Sequence, residues 1–391
     1  MVGVFVYGFN ILKTADGKYY TRGYTQEYWE RYSRYFDKIY ITGRVKETKK
    51  EIASGYNELF GDRIEVIELP YMNSSLLFIK NWGTVRKELF SLIKESDCVI
   101  ARQPDLYSAI GIKICKMERK PYITEMVGCP WDSLWNYGNL TGKIAAPFSM
   151  ITTKNRIRRA PYVIYVTKYF LQKRYPTYGK SINCSNVTLG SLEKKVIESR
   201  IRKIGYANEK IIIGTAARLD VWYKGQQYVI QALGELKKQG IHNFEYQLVG
   251  DGDGEHLIAI AKKYHVLENV KILGALKHEK VFSWMDQLDF YIQPSRQEGL
   301  PRALIEAMSR GIPAAGAATG GIPELLDNQF IFSNSKNTVF EICNILKGLT
   351  SKVLEQQAKR NFEAAKEYEL GILSKRREDF FRDFFKNYML Q

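Results

Sequence analysis

The sequence predicts an α/β protein of two doubly wound domains facing each other across a cleft, and three observations carry that expectation. Its 391 residues exceed the roughly 250–300 that one hydrophobic core supports. Short runs rich in β-branched and aromatic residues alternate with longer helix-like segments, the order of parallel strands joined by helical crossovers. A charged stretch without strand signals, about residues 189–208, divides two such series. Domains are therefore expected over residues 1–190 and 205–369.

In the first series, strands are expected at 3–8 (GVFVYG), 38–43 (KIYITG), 63–69 (RIEVIEL), 97–102 (DCVIAR), 121–128 (PYITEMVG) and 162–167 (YVIYVT). Between the first two, TQEYWERYSRYF (25–36) repeats aromatics at helical spacing. The second series starts at KIIIGTAARL (210–219). It continues with FEYQLVGDG (244–252), VKILGAL (270–276), DFYIQPS (289–295), GIPAAGA (311–317) and 329–332. The intervening QQYVIQALGELKKQG, GEHLIAIAKKYHV, HEKVFSWMDQL and PRALIEAMSRG all suit helices. From about residue 353 charges interleave with aromatics, as in FFRDFFKNYML, which also reads as helix.

The net charge is +16, of which residues 1–190 carry +12 and residues 191–391 carry +4. The excess is densest in KICKMERK (113–120), KNRIRR (154–159) and KYFLQKR (168–174). Basic residues there interleave with apolar ones, as on amphipathic surface helices. Such a face suits an anionic membrane surface or plain solvation, whereas no helix-turn-helix, zinc-finger or RNP-like motif points to nucleic acid. A charged fraction of 26% and a mean hydropathy of −0.30 exclude a disordered or collagen-like chain. No apolar run approaches the ~20 residues that span a bilayer, and the first residues do not read as a signal peptide. Five scattered cysteines without CxxC spacing suit reduced thiols better than zinc. A cytoplasmic protein, peripheral at the inner face of the membrane, is the expectation.

The most informative run is Gln293-Pro-Ser-Arg-Gln-Glu298-Gly-Leu-Pro-Arg-Ala-Leu-Ile-Glu306 through Gly311. A strand ends near Gln293, and Pro301 sits where a helix begins, at the first helical position. Unpaired N–H groups and the helix dipole make an anion site there, with Gly299 letting a phosphate approach the backbone. Glu298 in the loop and Glu306 in the helix are too far apart along the axis, at about 1.5 Å per residue, for a paired acid and base. They suit two separate hydroxyl-binding carboxylates, or simply a loop charge and a helix-surface charge. Arg218 and Lys224 follow the first strand of this half, where two cations can hold phosphate oxygens or be plain surface charges.

Taken in order, Arg218…Lys224-Gly225, Val249-Gly-Asp-Gly252, Ile272-Leu-Gly274, Pro294-Ser-x-x-Glu298-Gly-Leu-Pro…Glu306-Ala…Gly311-Ile-Pro and Thr319-Gly-Gly-Ile-Pro-Glu324 resemble the family-4 retaining glycosyltransferases of the GT-B fold. The resemblance spans about residues 210–326. It implies two Rossmann-like domains, with a final helix of about 370–391 packed back on the first. It also implies sugar transfer with retained anomeric configuration, from a UDP- or GDP-sugar to a glycan or lipid-linked glycan in cell-surface polysaccharide biosynthesis. Arg218 and Lys224 would hold the donor diphosphate, and Glu298 the sugar hydroxyls. Backbone N–H groups about Gly299 and Leu300 would meet the phosphate or sugar, and Glu306 the ribose. The backbone about Leu273, Ala275 and Leu276 would contact the base, with Gly250 and Gly252 lining the same pocket. No cofactor or metal is implied. Asp251-Gly-Asp253 superficially matches the DxD of another glycosyltransferase fold, but here reads as a glycine turn after a strand.

In the first half, relatives usually place a glycine-rich loop after the first strand, and Gly23 is the candidate, with Gly8 and Gly17 competing. Many relatives have histidine where the fifth strand ends. This chain has Val127 there, and no histidine before residue 240. Asp132 or a backbone carbonyl is the alternative contact for the sugar. Trp131, Trp135 and Tyr137 could stack on sugar faces or pack in the core, and Thr167 is expected to face the cleft or simply end its strand. A nucleotide-sugar epimerase on the same fold, or a non-catalytic nucleotide-sugar-binding protein, are the competing readings. The second predicts loss of Arg218, Lys224, Glu298 or Glu306, and all four are present.

Overall fold

The computed structural model describes residues 1–388 except 54, 60, 73, 137, 139 and 207–209. In chain order the first domain contains β1 (Val2–Lys13), β2 (Tyr19–Thr21), α1 (Gln26–Ser33), β3 (Lys38–Glu47), α2 (Lys50–Ala53), β4 (Asn57–Leu59), β5 (Ile64–Glu68) and α3 (Ser75–Glu95). It continues with β6 (Cys98–Gln103), α4 (Leu106–Met117), β7 (Tyr122–Met126), α5 (Pro130–Trp135), α6 (Leu140–Arg158), β8 (Tyr162–Tyr165), α7 (Phe170–Arg174) and β9 (Lys180–Asn183). The second domain opens with α8 (Lys194–Gly205), then β10 (Ile211–Ala216), α9 (Gln226–Lys238), β11 (Phe244–Val249), α10 (Glu255–Lys263), β12 (Val270–Gly274) and α11 (His278–Gln287). It is completed by β13 (Phe290–Gln293), α12 (Arg302–Ser309), β14 (Ala314–Ala317), β15 (Ile331–Phe332), α13 (Thr338–Lys347) and α14 (Ser351–Ala365), and the last helix is α15 (Leu370–Tyr388).

Two parallel sheets organise these elements, as the alternation of strand and helix signals required. The first runs β5-β3-β1-β6-β7-β8-β9. The second runs β12-β11-β10-β13-β14-β15. In each, the opening strand lies inside the sheet and the strand order reverses beside it, between β1 and β6 and between β10 and β13. Ligands of open α/β sheets bind outside the carboxyl ends at such a reversal. Strands β6, β7 and β8 are buried along their whole length, as helices on both faces of a parallel sheet demand.

The differences from the expected strands are informative. The strands expected at 121–128, 162–167, 210–219 and 289–295 end at Met126, Tyr165, Ala216 and Gln293. Their surplus carboxyl-terminal residues form the loops that face the cleft. Strand β1 instead runs on to Lys13, because a register shift between Phe5 and Phe9 lets its second half pair with β3 and with the antiparallel β2. The short β2, β4 and β9 carry no alternating apolar pattern and escape sequence reading. Pro301 flanks α12, which begins at Arg302, so the proline is one position outside the helix.

The stretch between the two series of strands folds as α8, whose buried Arg200 donates to the carbonyls of Leu288 and Met285 beneath the second sheet. The chain crosses back once more near residue 369. There Leu370 N–H donates to Leu189 O at 2.8 Å, and Leu192 N–H to Glu369 Oε1 at 3.0 Å, so the two crossings lie side by side. Helix α15 then packs on the first domain. Phe381 stacks flat on Tyr35 with centroids 4.6 Å apart, and Phe380 and Phe384 pack edge-on against Tyr162. Phe381 is fully buried, so Phe381→Ala is expected to destabilise the first domain by about 3–5 kcal/mol. Urea unfolding checks this, and an unshifted midpoint would show that α15 adds nothing to that domain.

Candidate active site

A cavity of about 440 Å³ lies between the domains, at the strand-order reversal of the second sheet. Ala216 and Gln293, the last residues of β10 and β13, form part of its wall with Lys224, Glu298, Glu306 and the start of α12. The first domain contributes Gly23, Thr25, Glu27, Tyr28, Asn57, Asn186 and Thr188.

Lys224 and Glu298 meet at 2.6 Å, both largely buried. Gln293 Nε2 donates to the same Glu298 oxygen at 3.2 Å and to Ser295 Oγ at 2.9 Å. The orientation of Gln293 is fixed in turn by the Tyr291 hydroxyl, which donates to its Oε1 at 3.0 Å. Burial pushes the Tyr291 phenol far above its ordinary value, so it remains a donor at any physiological pH. Gly225 makes the approach of the two loops possible. Its φ is +77°, and a Cβ there would stand 1.9 Å from Pro294 O. Only a glycine fits both the left-handed backbone and that contact.

The first N–H groups of α12 have no partner within the helix, and Leu300, Pro301, Arg302 and Ala303 all line the cavity. The start of α12, the positive end of the helix dipole, thus shares one cavity with Lys224. Glu306, one turn into α12, lines the same space.

Other residues singled out in the sequence stand elsewhere. Arg218 does not line the cavity. It forms a fork-like ion pair with Asp220, Nε to Oδ1 at 3.0 Å, and its side chain is 51% exposed. Gly250 and Gly252 support that loop from behind, since Cβ atoms would stand 1.8 Å from Ala217 O and 2.7 Å from Asp220. Leu273 near the end of β12 and Ala275 just past it are exposed, and Leu276 is half-buried. Gly299, expected to admit a phosphate, is where the two domains touch, because a Cβ would stand 2.0 Å from Val127 O. Thr167 is buried at the junction of the domains, where its methyl group faces Gly321, and its hydroxyl accepts from Leu171 N–H and donates to Gln172 Oε1. Asp132 is held by Arg174 at 3.1 Å. Trp131 stacks on Trp135 with centroids 5.1 Å apart, and Tyr137 lies outside the described residues.

Several contacts across the cleft gave little sequence signal. Arg302 Nη1 donates to Gly23 O at 3.3 Å, and Arg22 pairs with Asp251 at 3.0 Å, which brings Gly23 rather than Gly8 or Gly17 to the cavity. Glu324 accepts the N–H groups of Lys168, Tyr169 and Phe170 at 2.5–3.0 Å. Buried Arg31 donates to Asn186 Oδ1 and Thr188 Oγ1, each at 3.2 Å, and so fixes the cavity wall. Among the described residues no group of three or more His, Cys, Asp or Glu is gathered to hold a metal ion.

The Gly299 contact generates a prediction. Gly299→Ala forces the Val127 and Glu298 loops apart, and neither neighbour is a flexible side-chain end. The variant is expected to lose about 1–3 kcal/mol of stability. Urea unfolding checks it, and an unshifted midpoint would show that the two loops part freely.

Comparison with known proteins identifies the family and the fold. The family model described as glycosyl transferases group 1 matches residues 196–359. Protein CapJ of Staphylococcus aureus is 32% identical over 357 residues, which is 90% of this chain and 87% of that protein. The amylovoran biosynthesis glycosyltransferase AmsK of Erwinia amylovora is 33% identical over 150 residues, 37% of this chain and 36% of its own. Among solved structures, Anabaena Alr3699/HepE in complex with UDP has a TM-score of 0.65 at 17% identity, covering 98% of this chain and 100% of that one. That likeness shows the shared fold.

Proposed function

Because this chain belongs to the group 1 glycosyl transferases and has their GT-B fold, we propose that it transfers a sugar, with retention of anomeric configuration, from a UDP- or GDP-sugar to a hydroxyl acceptor. The observation that carries this reading is the shared cavity of Lys224, Glu298, Glu306 and the start of α12 at the strand-order reversal of the second sheet. The donor diphosphate lies against the α12 N-terminus and the Lys224 ammonium. Glu306 takes the ribose hydroxyls and Glu298 those of the sugar. The backbone about Leu273 to Leu276 meets the base.

The acceptor oxygen attacks the anomeric carbon from the face that the phosphate leaves. The new glycosidic bond forms as the carbon–phosphate-oxygen bond breaks, and the hydroxyl proton passes to the departing diphosphate. Lys224 and the helix N-terminus are already aimed at the charge that develops there, the preorganised arrangement that lowers such barriers most. HepE, whose fold this chain shares, was crystallised with UDP-glucose, which supports testing UDP first. A relative named for amylovoran biosynthesis supports an acceptor in polysaccharide assembly, a glycan or lipid-linked glycan. The basic surface of the first domain suits an enzyme working at an anionic membrane.

Lys224→Ala is expected to lower kcat/KM about 10²–10³-fold, with circular dichroism confirming the fold. Arg218→Ala loses less, because its guanidinium already has a carboxylate partner. Glu298→Gln retains UDP affinity, since Lys224 is released from its carboxylate, but loses turnover. These outcomes are read by release of the nucleoside diphosphate, and NMR of the product gives the anomeric configuration. Wild-type turnover in Lys224→Ala, or an inverted product, would overturn the reading.

A further inference from the structure

Helix α6 is built inside out. Its buried residues are mostly small, Gly142, Ala146 and Thr153, with Ile157 near the end. Its large apolar residues point outward: Leu140, Ile144, Phe148 and Ile151 are 73, 70, 73 and 58% exposed. At 3.6 residues per turn these four share one stripe roughly 80° wide and about 17 Å long. A helix on a water-facing surface turns such a stripe inward. Residues 140–159 also hold Lys143, Lys154, Arg156, Arg158 and Arg159, and no Asp or Glu.

The surroundings extend this pattern. Right-handed crossovers place α3, α4 and α6 on one face of the first sheet, and Leu106 of α4 lines a cavity shared with Phe148. Exposed Lys113, Lys116 and Met117 follow on α4, and Leu76 and Ile79 stand exposed on the first turn of α3. The amino ends of these helices lie at the carboxyl rim of the sheet, the same rim that bounds the cleft. A second copy docked on this face would set its basic residues against their own kind. An anionic lipid surface complements both the charge and the apolar stripe.

We propose that α6 lies parallel to an anionic bilayer, with Leu140, Ile144, Phe148 and Ile151 in the interfacial layer and Lys143, Lys154 and Arg158 on lipid phosphates. The open rim of the first sheet then faces the lipid, so that a membrane-borne acceptor enters the cleft without leaving the bilayer. This seat is independent of the transfer reaction, because binding alone reads it.

The five cysteines are buried, so Phe148→Cys takes a thiol-directed environment-sensitive dye selectively, with Lys336→Cys on the second domain as the control. Vesicles of equal parts phosphatidylglycerol and phosphatidylcholine are expected to shift the emission of the residue-148 label to the blue and leave the control unmoved. In co-sedimentation, Ile144→Ser/Phe148→Ser should reduce binding to those vesicles about tenfold or more while retaining the thermal midpoint. An unmoved residue-148 label, or unchanged sedimentation of the double variant, would overturn the proposal. So would dimers in analytical ultracentrifugation that the double variant abolishes, since a second copy would then cover the stripe.

Discussion

The Lys224–Glu298 ion pair is the contact on which the rest of the site depends. The two side chains leave loops that follow β10 and β13, the neighbouring strands at which the second sheet reverses its order. Both charges are largely withdrawn from water, so each depends on the other to offset its desolvation. Neither loop can move alone without stranding a charge. The left-handed Gly225 and the Tyr291–Gln293 chain of hydrogen bonds serve this one contact. It keeps a cation beside the α12 N-terminus while holding a carboxylate in place.

Around that fixed centre, the two domains meet through polar bridges and a small apolar contact, in which Val166 lies beside Gly299 and Thr167 beside Gly321 and Leu300. The bare Cα of Gly299 lies against Val127 O. Glu324 reaches across to three successive backbone N–H groups before α7. On the far side of the cavity Arg302 and Arg22 bridge to Gly23 and Asp251. None of these is a large apolar interface, the kind that would lock the domains together. The covalent crossings and α15 add to these contacts, with the aromatic packing of α15 on the first domain. The arrangement suits a cleft that must admit a bulky donor and release its product.

The sequence made the two parallel sheets legible because buried strands are near-continuous apolar runs between helical crossovers, and glycine and proline mark where they stop. Lys224, Glu298 and Glu306 were legible for a related reason: the strand, loop and helix around them carry Pro301, Gly299 and Gly225, each tied to a backbone requirement. Side-chain direction was not legible. Arg218 shares the loop after β10 with Lys224, yet Asp220, two residues on, captures its guanidinium. Thr167 lies two residues beyond β8, and its hydroxyl serves α7. The inverted α6 was hidden because periodicity identifies an apolar stripe without saying which way it faces. The wall formed by Asn186 and Thr188 follows from a long-range contact to Arg31, for which a linear sequence has no local sign.

Val127 limits what the first domain can contribute to chemistry. Valine has no proton to exchange, and its side chain packs against the buried apolar cluster. Its carbonyl lies against Gly299, so the backbone does not replace what the side chain lacks. Asp132, the nearest carboxylate suggested by the sequence, is engaged with Arg174. The first domain therefore brings to this junction shape and hydrogen-bonding walls rather than a titrating group. Glu27 is a carboxylate that the first domain does place on the cavity wall; in the proposed reaction the departing diphosphate oxygen takes the proton, because its basicity rises as the bond breaks. The burden then falls on the second domain, where Lys224 and the α12 N-terminus set how much charge that oxygen carries when it takes the proton.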